Sequence, residues 1–359
     1  MKKVKVKIKS RSEIDYNILI KNGILKNVVK LVKKLLNGER VLIVTDEIVG
    51  KLYAGKIIKN LEKENIIVSV CILRNGEANK NIDGISNIYF NLAQSELSRK
   101  DMIIALGGGV VGDMSGYAAA TWMRGIDFIQ IPTTLLACVD SSVGGKTGIN
   151  TREGKNLVGA FHSPKLVIID SETLTSLPER EFNSGMSEIV KHASLFDEKL
   201  LEVIENYYKS KKNNKNEKLD MDFVLQRNCE LKSHIVQIDY KEEKERMFLN
   251  FGHTIGHSIE NAAGYGTLLH GEAVAIGMIF AIEYGIKLGI TKNAYILERA
   301  KNILSNIGLP INIPENIDLK EAIKLDKKRN NEKINFVFLE DIGKPVIEKV
   351  DIDSIISKV

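Results

Sequence analysis

No apolar run in the chain is long enough to cross a bilayer. The segment AVAIGMIFAI at 273–282 is among the longest and falls far short of the ~20 residues that a spanning helix needs. Cysteine is scarce: Cys71, Cys138 and Cys229 are widely scattered among 359 residues. None has metal-binding spacing, and three isolated thiols fit a reducing, cytoplasmic setting better than a disulfide framework. An excess of charge of one sign is also missing. The 51 basic and 46 acidic residues are spread along the whole chain, with a net charge of +5. That mixture argues against nucleic acid as a partner and leaves room for local basic sites that take an anionic small molecule. The first residues, KKVKVKIK, alternate charged and β-branched types and predict a strand, not a signal peptide. No repeat of fixed period is present.

The composition that remains, 44% hydrophobic and 27% charged, is that of a globular protein, and the length calls for two domains. The two halves differ in pattern. VLIVTD (41–46), IIVSVCIL (66–73), MIIALGGG (102–109), FIQIPTT (128–134) and LVIID (166–170) predict strands separated by helices, hence a Rossmann-like parallel α/β sheet. From about Glu181 to Leu309 the periodicity is almost wholly helical, interrupted by KSKKNNKNEK at 209–218, which reads as a solvated loop. The expected division is an α/β domain over 1–175 and an all-helical domain over 176–359.

MIIALGGGVVGDMSGYAAA combines a strand, a glycine turn and a helix start, and Gly107, Gly109 and Gly112 satisfy G-x-G-x-x-G. Backbone amides there can face a pyrophosphate; a tight strand-to-helix turn without a ligand satisfies the same pattern. The acid usually found about 20 residues further on is missing, because the next strand ends in Pro132-Thr133-Thr134. Asp46, at the end of an earlier strand, is the candidate ribose acid, while Asp113 could cap the helix. DSSVGGKTGINTREGKNLVGAF (140–161) is loop-like, and its Gly-Gly-Lys-Thr is no Walker loop because Asp140 stands where the first glycine is required. Lys146, Lys155 and Asn156 suit either an anionic, hydroxylated ligand or a solvated surface.

The sequence NFGHTIGHSIE (250–260) puts His253 and His257 on one helical face, yet Thr254 stands where a zinc protease needs Glu. GMSEIVKH (185–192) puts Glu188, Lys191 and His192 on neighbouring positions of a helix, and His270 precedes the apolar helix in LLHGEAVAIG. Glu188, His253 and His270 make a plausible set for a catalytic divalent ion and leave His257 for proton transfer, although each His alone is as readily a packing residue.

GGGVVGDMSGYAAATWMRG, IPTTLLACVDSSVGGKTGIN, GKNLVGAF, LPEREFNSGMSEIVKH, NFGHTIGHSIE and LHGEAVAIGM together resemble, in order, the motifs of the 3-dehydroquinate synthase family of sugar-phosphate cyclases. The resemblance implies an N-terminal NAD-binding α/β domain and a C-terminal helical metal domain. The implied reaction is cyclisation of 3-deoxy-D-arabino-heptulosonate 7-phosphate to 3-dehydroquinate and phosphate, a lyase reaction of the shikimate pathway. It uses NAD catalytically and one Zn2+ or Co2+, and a homodimer is implied. Carried over residue by residue, the metal ligands are Glu188, His253 and His270. The NAD contacts fall on Asp46, Asn75, Gly76, Glu77, Ala78, Asn79, Lys80, Gly108, Gly109, Val110, Val111, Gly112, Asp113, Thr133, Thr134, Lys146, Lys155, Thr173, Leu174, Thr175 and Ser176. Substrate and proton-transfer positions fall on Asp140, Lys146, Asn156, Lys191, Lys232, Arg246, Asn250 and His257, with Glu242 as a proton acceptor. Lys327, and Arg124 reaching across a dimer interface, complete the phosphate pocket. Ile48 departs from the family pattern, in which many relatives carry Asn. A cyclase for another sugar phosphate and an NAD-dependent polyol dehydrogenase are the competing expectations, and Lys232, Arg246 and Asn250 together favour the heptulosonate.

Overall fold

The computed structural model describes residues 15–213, 217–264, 267–315, 318–320, 323 and 333–358. Lys327 and the strand expected for residues 2–9 lie outside them. Six parallel strands form one sheet: β1 (Asn17–Ile20), β2 (Arg40–Asp46), β3 (Ile67–Leu73), β4 (Met102–Gly107), β5 (Asp127–Pro132) and β8 (Leu166–Ile169), in the order β1-β8-β5-β4-β2-β3. The period of two along each strand explains why the sheet is covered on both faces. Val41 and Ile43 of β2 join a core with α1 (Val28–Leu35) and α2 (Gly55–Glu62), whereas Leu42 and Val44 point the other way. There they meet α3 (Ile82–Gln94) and α4 (Gly109–Thr121).

After β2 the chain runs outward to β3, then returns to place β4 on the other flank of β2. The carboxyl ends of β2 and β4, at Asp46 and Gly107, therefore bound a topological switch point, where open α/β sheets bind ligands. The five strands expected from sequence are present. The stretch expected to be a loop at 140–161 instead contains an antiparallel hairpin, β6 (Lys146–Thr151) with β7 (Gly154–Phe161). Gly148 pairs with Gly159 so closely that a Cβ on either would strike the opposite backbone, and it is these glycines that hid the strand pattern.

The second half contains α5 (Glu179–Phe196), α6 (Glu198–Lys212), α7 (Met221–Ile238), α8 (His253–Ala263), α9 (His270–Lys287) and α10 (Tyr295–Ile307). Its helical character is as expected, with one antiparallel hairpin added, β9 (Lys333–Asp341) with β10 (Lys344–Asp351). Phe336 and Phe338 of that hairpin join the helical core beside Tyr284. The polar run at 209–218 begins inside α6, which continues to Lys212. Val167 and Ile169 belong to the same core cluster as α5 and α9, so the helical half rests directly on one face of the sheet.

Two close approaches hold α5, α8 and α9 together. A Cβ at Gly277 would strike the Gly252 carbonyl, and one at Gly271 would strike that of Ser184. The absence of side chains there brings the beginning of α8 against the middle of α9, and the beginning of α9 against α5. Gly277→Ala should therefore destabilise the protein by about 1–3 kcal/mol through overpacking. Urea unfolding should show a lower midpoint at unchanged slope; an unchanged midpoint would mean that the helices separate without cost.

Candidate active site

His253 and His270 are each the first residue of a helix, α8 and α9, while Glu188 sits mid-way along α5. Glu272 accepts a hydrogen bond from the Leu269 amide, which fixes the start of α9, and Arg180 clamps the same carboxylate through both oxygens. The three side chains converge. One ligand atom from each of Glu188, His253 and His270 lies within 4.8 Å of the others. Glu188 Oε1 is 3.7 Å from His253 Nε2 and 3.6 Å from His270 Nε2. Glu188 is fully buried and neither oxygen has a partner of good hydrogen-bond geometry, although Lys191 Nζ forms a 2.5 Å ion pair with Oε2. A buried carboxylate facing two imidazole nitrogens fits a divalent cation by donor set.

The outer nitrogens are also held. His253 Nδ1 lies 3.2 Å from the Phe251 carbonyl, and His270 Nδ1 lies 3.4 Å from Glu260 Oε2. Burial, reinforced by the Lys191 cation, lowers His253 well below the ordinary imidazole value. Burial alone would also lower His270, but the Glu188 and Glu260 carboxylates facing its two nitrogens outweigh it and push it up to about 10 with protein groups alone as neighbours. His257, one turn beyond His253, is exposed, with ring centroids 5.2 Å from His253 and 5.9 Å from His270.

Adjacent is a cleft of about 550 Å³, lined by Asp113, Asp140, Lys146, Asn156, Lys232, Glu242 and Arg246 among others. Seven residues expected from scattered motifs thus share one cavity. Lys232 donates to both the carboxylate and the carbonyl of Asp140 at 2.5 Å. Arg246 is held by the carbonyls of Tyr240 (2.6 Å) and Gly144, and Lys146 is ion-paired with Glu242. Asn250 donates to Glu242 at 3.0 Å. Burial, with the neighbouring Arg246 and Lys232 cations, brings the Lys146 ammonium down to about 8.

On the sheet side, Asp46 Oδ1 accepts from the amides of Ile48 and Val49 and so shapes the turn after β2. Asn75, Gly76 and the turn Glu77–Asn79, with Ala78 at its centre, follow β3. Lys80 is buried and pairs with Asp113 Oδ2 and Asn156 Oδ1, both at 2.6 Å. Asp113 therefore lies inside α4 as an ion-pair partner and does not cap it. The first turn of α4, from Gly109 through Val110, Val111 and Gly112, has no side-chain cap at Gly108. Those uncapped amides, with the orphaned and buried Thr133 hydroxyl nearby in sequence-adjacent Thr133-Thr134, fit a polar or anionic ligand. The glycines also meet packing demands: a Cβ at Gly108 would lie 3.1 Å from Thr134, and one at Gly109 3.2 Å from Ser141. Thr173, Leu174, Thr175 and Ser176 form a 3-10 turn; Thr173 and Leu174 face inward, and Tyr53 bonds Ser176 at 2.6 Å.

Arg124 does not join the cleft of its own chain. It is exposed in the turn after α4, where Met123 and Arg124 both have positive φ. Lys155 pairs with Glu260 at 2.9 Å. Sequence reasoning gave no role to Glu260, Asn150 or Asn228. Asn150 bonds Glu77 at 2.8 Å and accepts from the Asn156 amide; Asn228 bonds His192 at 3.0 Å. Glu260 carried a signal, being seven residues after His253 on the same helical face.

The sheet switch point, the Glu/His/His cluster and the cationic cleft between them define a two-domain α/β–helical enzyme with a shared interdomain site. The chain belongs to the 3-dehydroquinate synthase family: its N-terminal profile matches residues 70–184 and its C-terminal profile residues 185–329. A 3-dehydroquinate synthase from Clostridium acetobutylicum is 42% identical over 339 residues, 94% of each chain. Among solved structures, 2-epi-5-epi-valiolone synthase from Streptomyces hygroscopicus with NAD+ and Zn2+ bound is 26% identical, with a TM-score of 0.87 over 98% of both chains. A 2-deoxy-scyllo-inosose synthase complexed with carbaglucose-6-phosphate, NAD+ and Co2+ is 25% identical, with a TM-score of 0.85 over 96% of both.

The Asp140–Lys232 pair generates a pH-dependent prediction. Burial would raise the Asp140 carboxyl, but the Lys232 cation outweighs it and holds it well below the usual range. A depressed folded value contributes stability above the unfolded value of about 4, lost as pH falls through the folded one. Asp140→Leu should cost about 2–3 kcal/mol near neutral pH, discounted for partial exposure. In urea unfolding, the wild-type advantage should shrink below about pH 4. An advantage independent of pH would mean that Asp140 acts by packing alone.

Proposed function

We propose that this family member converts 3-deoxy-D-arabino-heptulosonate 7-phosphate to 3-dehydroquinate and phosphate, as a lyase acting in the cleft between residues 1–175 and 176–359. The observation that carries this reading is the meeting of Lys146, Lys232 and Arg246 in one cleft beside Glu188, His253 and His270. Three cations suit a substrate bearing both phosphate and carboxylate. The Glu/His/His set is the part that would hold Zn2+ or Co2+, which supplies Lewis acidity when bound. Asp46, the Asn75–Lys80 turn, the first turn of α4, Thr133, Thr134 and Thr173–Ser176 surround the switch point and would hold NAD, which supplies a reversible hydride acceptor.

The chain's own side chains divide the remaining work. Exposed His257 stands one turn from His253, free to take and return a hydroxyl proton. Lys191, anchored on Glu188, puts an ammonium beside the same site. Glu242 fixes Lys146 and Asn250, and its carboxylate is available as a proton acceptor. Asp140 orients Lys232, and Asn156 links Lys80 to the cleft. The outward-facing Arg124 supports a homodimer in which it completes the partner's phosphate pocket. Three free, buried cysteines support residence in the cytoplasm, and among the described residues no helix is long and apolar enough to cross a membrane.

With substoichiometric NAD, added Zn2+ and the heptulosonate phosphate, phosphate and dehydroquinate should accumulate equally and far beyond the NAD supplied. Product stopping at one equivalent while NADH accumulates would make the chain a dehydrogenase. His253→Ala should lose bound metal, whereas His257→Ala should retain it and slow turnover by about 10²–10⁴-fold. Equal metal loss in both variants would overturn the division of roles.

A further inference from the structure

Helix α8 carries three polar residues on one face, His253, His257 and Glu260, at intervals of four and three. Glu260 is only 6% exposed. Its two oxygens have different partners: Oε1 takes Lys155 Nζ at 2.9 Å, and Oε2 faces His270 Nδ1 at 3.4 Å. The other His270 nitrogen, Nε2, lies 3.6 Å from Glu188 Oε1. An imidazole that binds an ion through one nitrogen needs the other protonated and directed toward an acceptor. Glu260 is the acceptor here, and Lys155 brings the β6–β7 hairpin into the same chain of contacts.

We propose that Glu260 is a positioning residue for the metal site, fixing the ring and tautomer of His270 so that Nε2 is presented beside Glu188. Lys155 in turn fixes Glu260, so the hairpin that borders the cleft is tied to the geometry of a metal ligand. This rests on the reading of Glu188, His253 and His270 as the ion's ligands. Glu260 could be a ligand itself, because His257, Glu260 and His270 also lie within 4.8 Å of one another. Two observations favour the positioning role. Lys155 already occupies Oε1, and Glu188 Oε1 faces the Nε2 atoms of both His253 and His270, so the ligand atoms gather on the side of the His270 ring away from Glu260.

The test uses the purified full-length protein, with Zn2+ affinity measured by chelator competition and the Co2+ site followed by its visible absorption. Glu260→Ala should weaken Zn2+ binding by about 10- to 100-fold, the usual consequence of losing an outer partner of a metal-bound histidine. The Co2+ bands should keep the wild-type position once the site is saturated. Glu260→Gln retains a carbonyl oxygen that can accept from Nδ1, so its affinity should recover toward wild type. Lys155→Met should weaken binding by less than Glu260→Ala. Unchanged Zn2+ affinity in both Glu260 variants would overturn the positioning role, and displaced Co2+ bands in both would make Glu260 a ligand instead. A wild-type protein that binds neither ion would overturn the underlying metal reading, and the two failures are separately visible.

Discussion

A carboxylate sealed from water must be answered by positive charge, and the site depends on how Glu188 is answered. Its oxygens are fully buried and bordered by one ammonium and three imidazoles, those of Lys191, His192, His253 and His270. Leaving such an ion unmatched would cost several kcal/mol. The surrounding helices therefore bring an ammonium and imidazole nitrogens to Glu188 besides packing their apolar faces. Glycines at 252, 256 and 277 let α8 close on α9, and Gly271 lets the beginning of α9 close on α5. The histidines then arrive on rigid helix starts, and their outer nitrogens are assigned by Phe251 and Glu260.

The same economy governs the cleft. Lys232, Lys146 and Arg246 repel one another, and burial penalises each as a charge. Asp140, Glu242 and the carbonyls of Gly144 and Tyr240 hold these cations apart and oriented. A polyanionic substrate would relieve the residual repulsion. Charge balance among these cations would therefore favour binding of an anion in the cleft.

Much of this was legible in the sequence, for a definite reason. The central strands are buried on both faces, so VLIVTD, MIIALGGG and FIQIPTT appear as near-continuous apolar runs. The helix starts at His253 and His270 follow Gly252 and precede Glu272, both readable signals. The hairpin at 146–161 was not legible, because its pairing passes through Gly148 and Gly159 and its strands lack alternation. Glu260, Asn150 and Asn228 were likewise missed. Glu260 offered only its seven-residue spacing from His253, whereas Asn150 and Asn228 work by touching residues 73 and 36 positions away, a distance that spacing rules do not reach.

The glycine turn is where pattern and structure differ in what they explain. G-x-G-x-x-G leaves room for a pyrophosphate, yet its Gly107, Gly109 and Gly112 are each approached by the protein's own Val111, Ser141 or Gln130. Packing alone selects Gly107 and crowds Gly109, while a Cβ at Gly112 would make ordinary contact, so the motif by itself is weak testimony for a ligand. The stronger physical argument comes from what remains unanswered around it. The α4 amides lack a capping side chain, the Thr133 hydroxyl is buried without a partner, and both lie at the end of the sheet beside the switch point. Unsatisfied polar groups in that place call for a ligand; glycines only permit one.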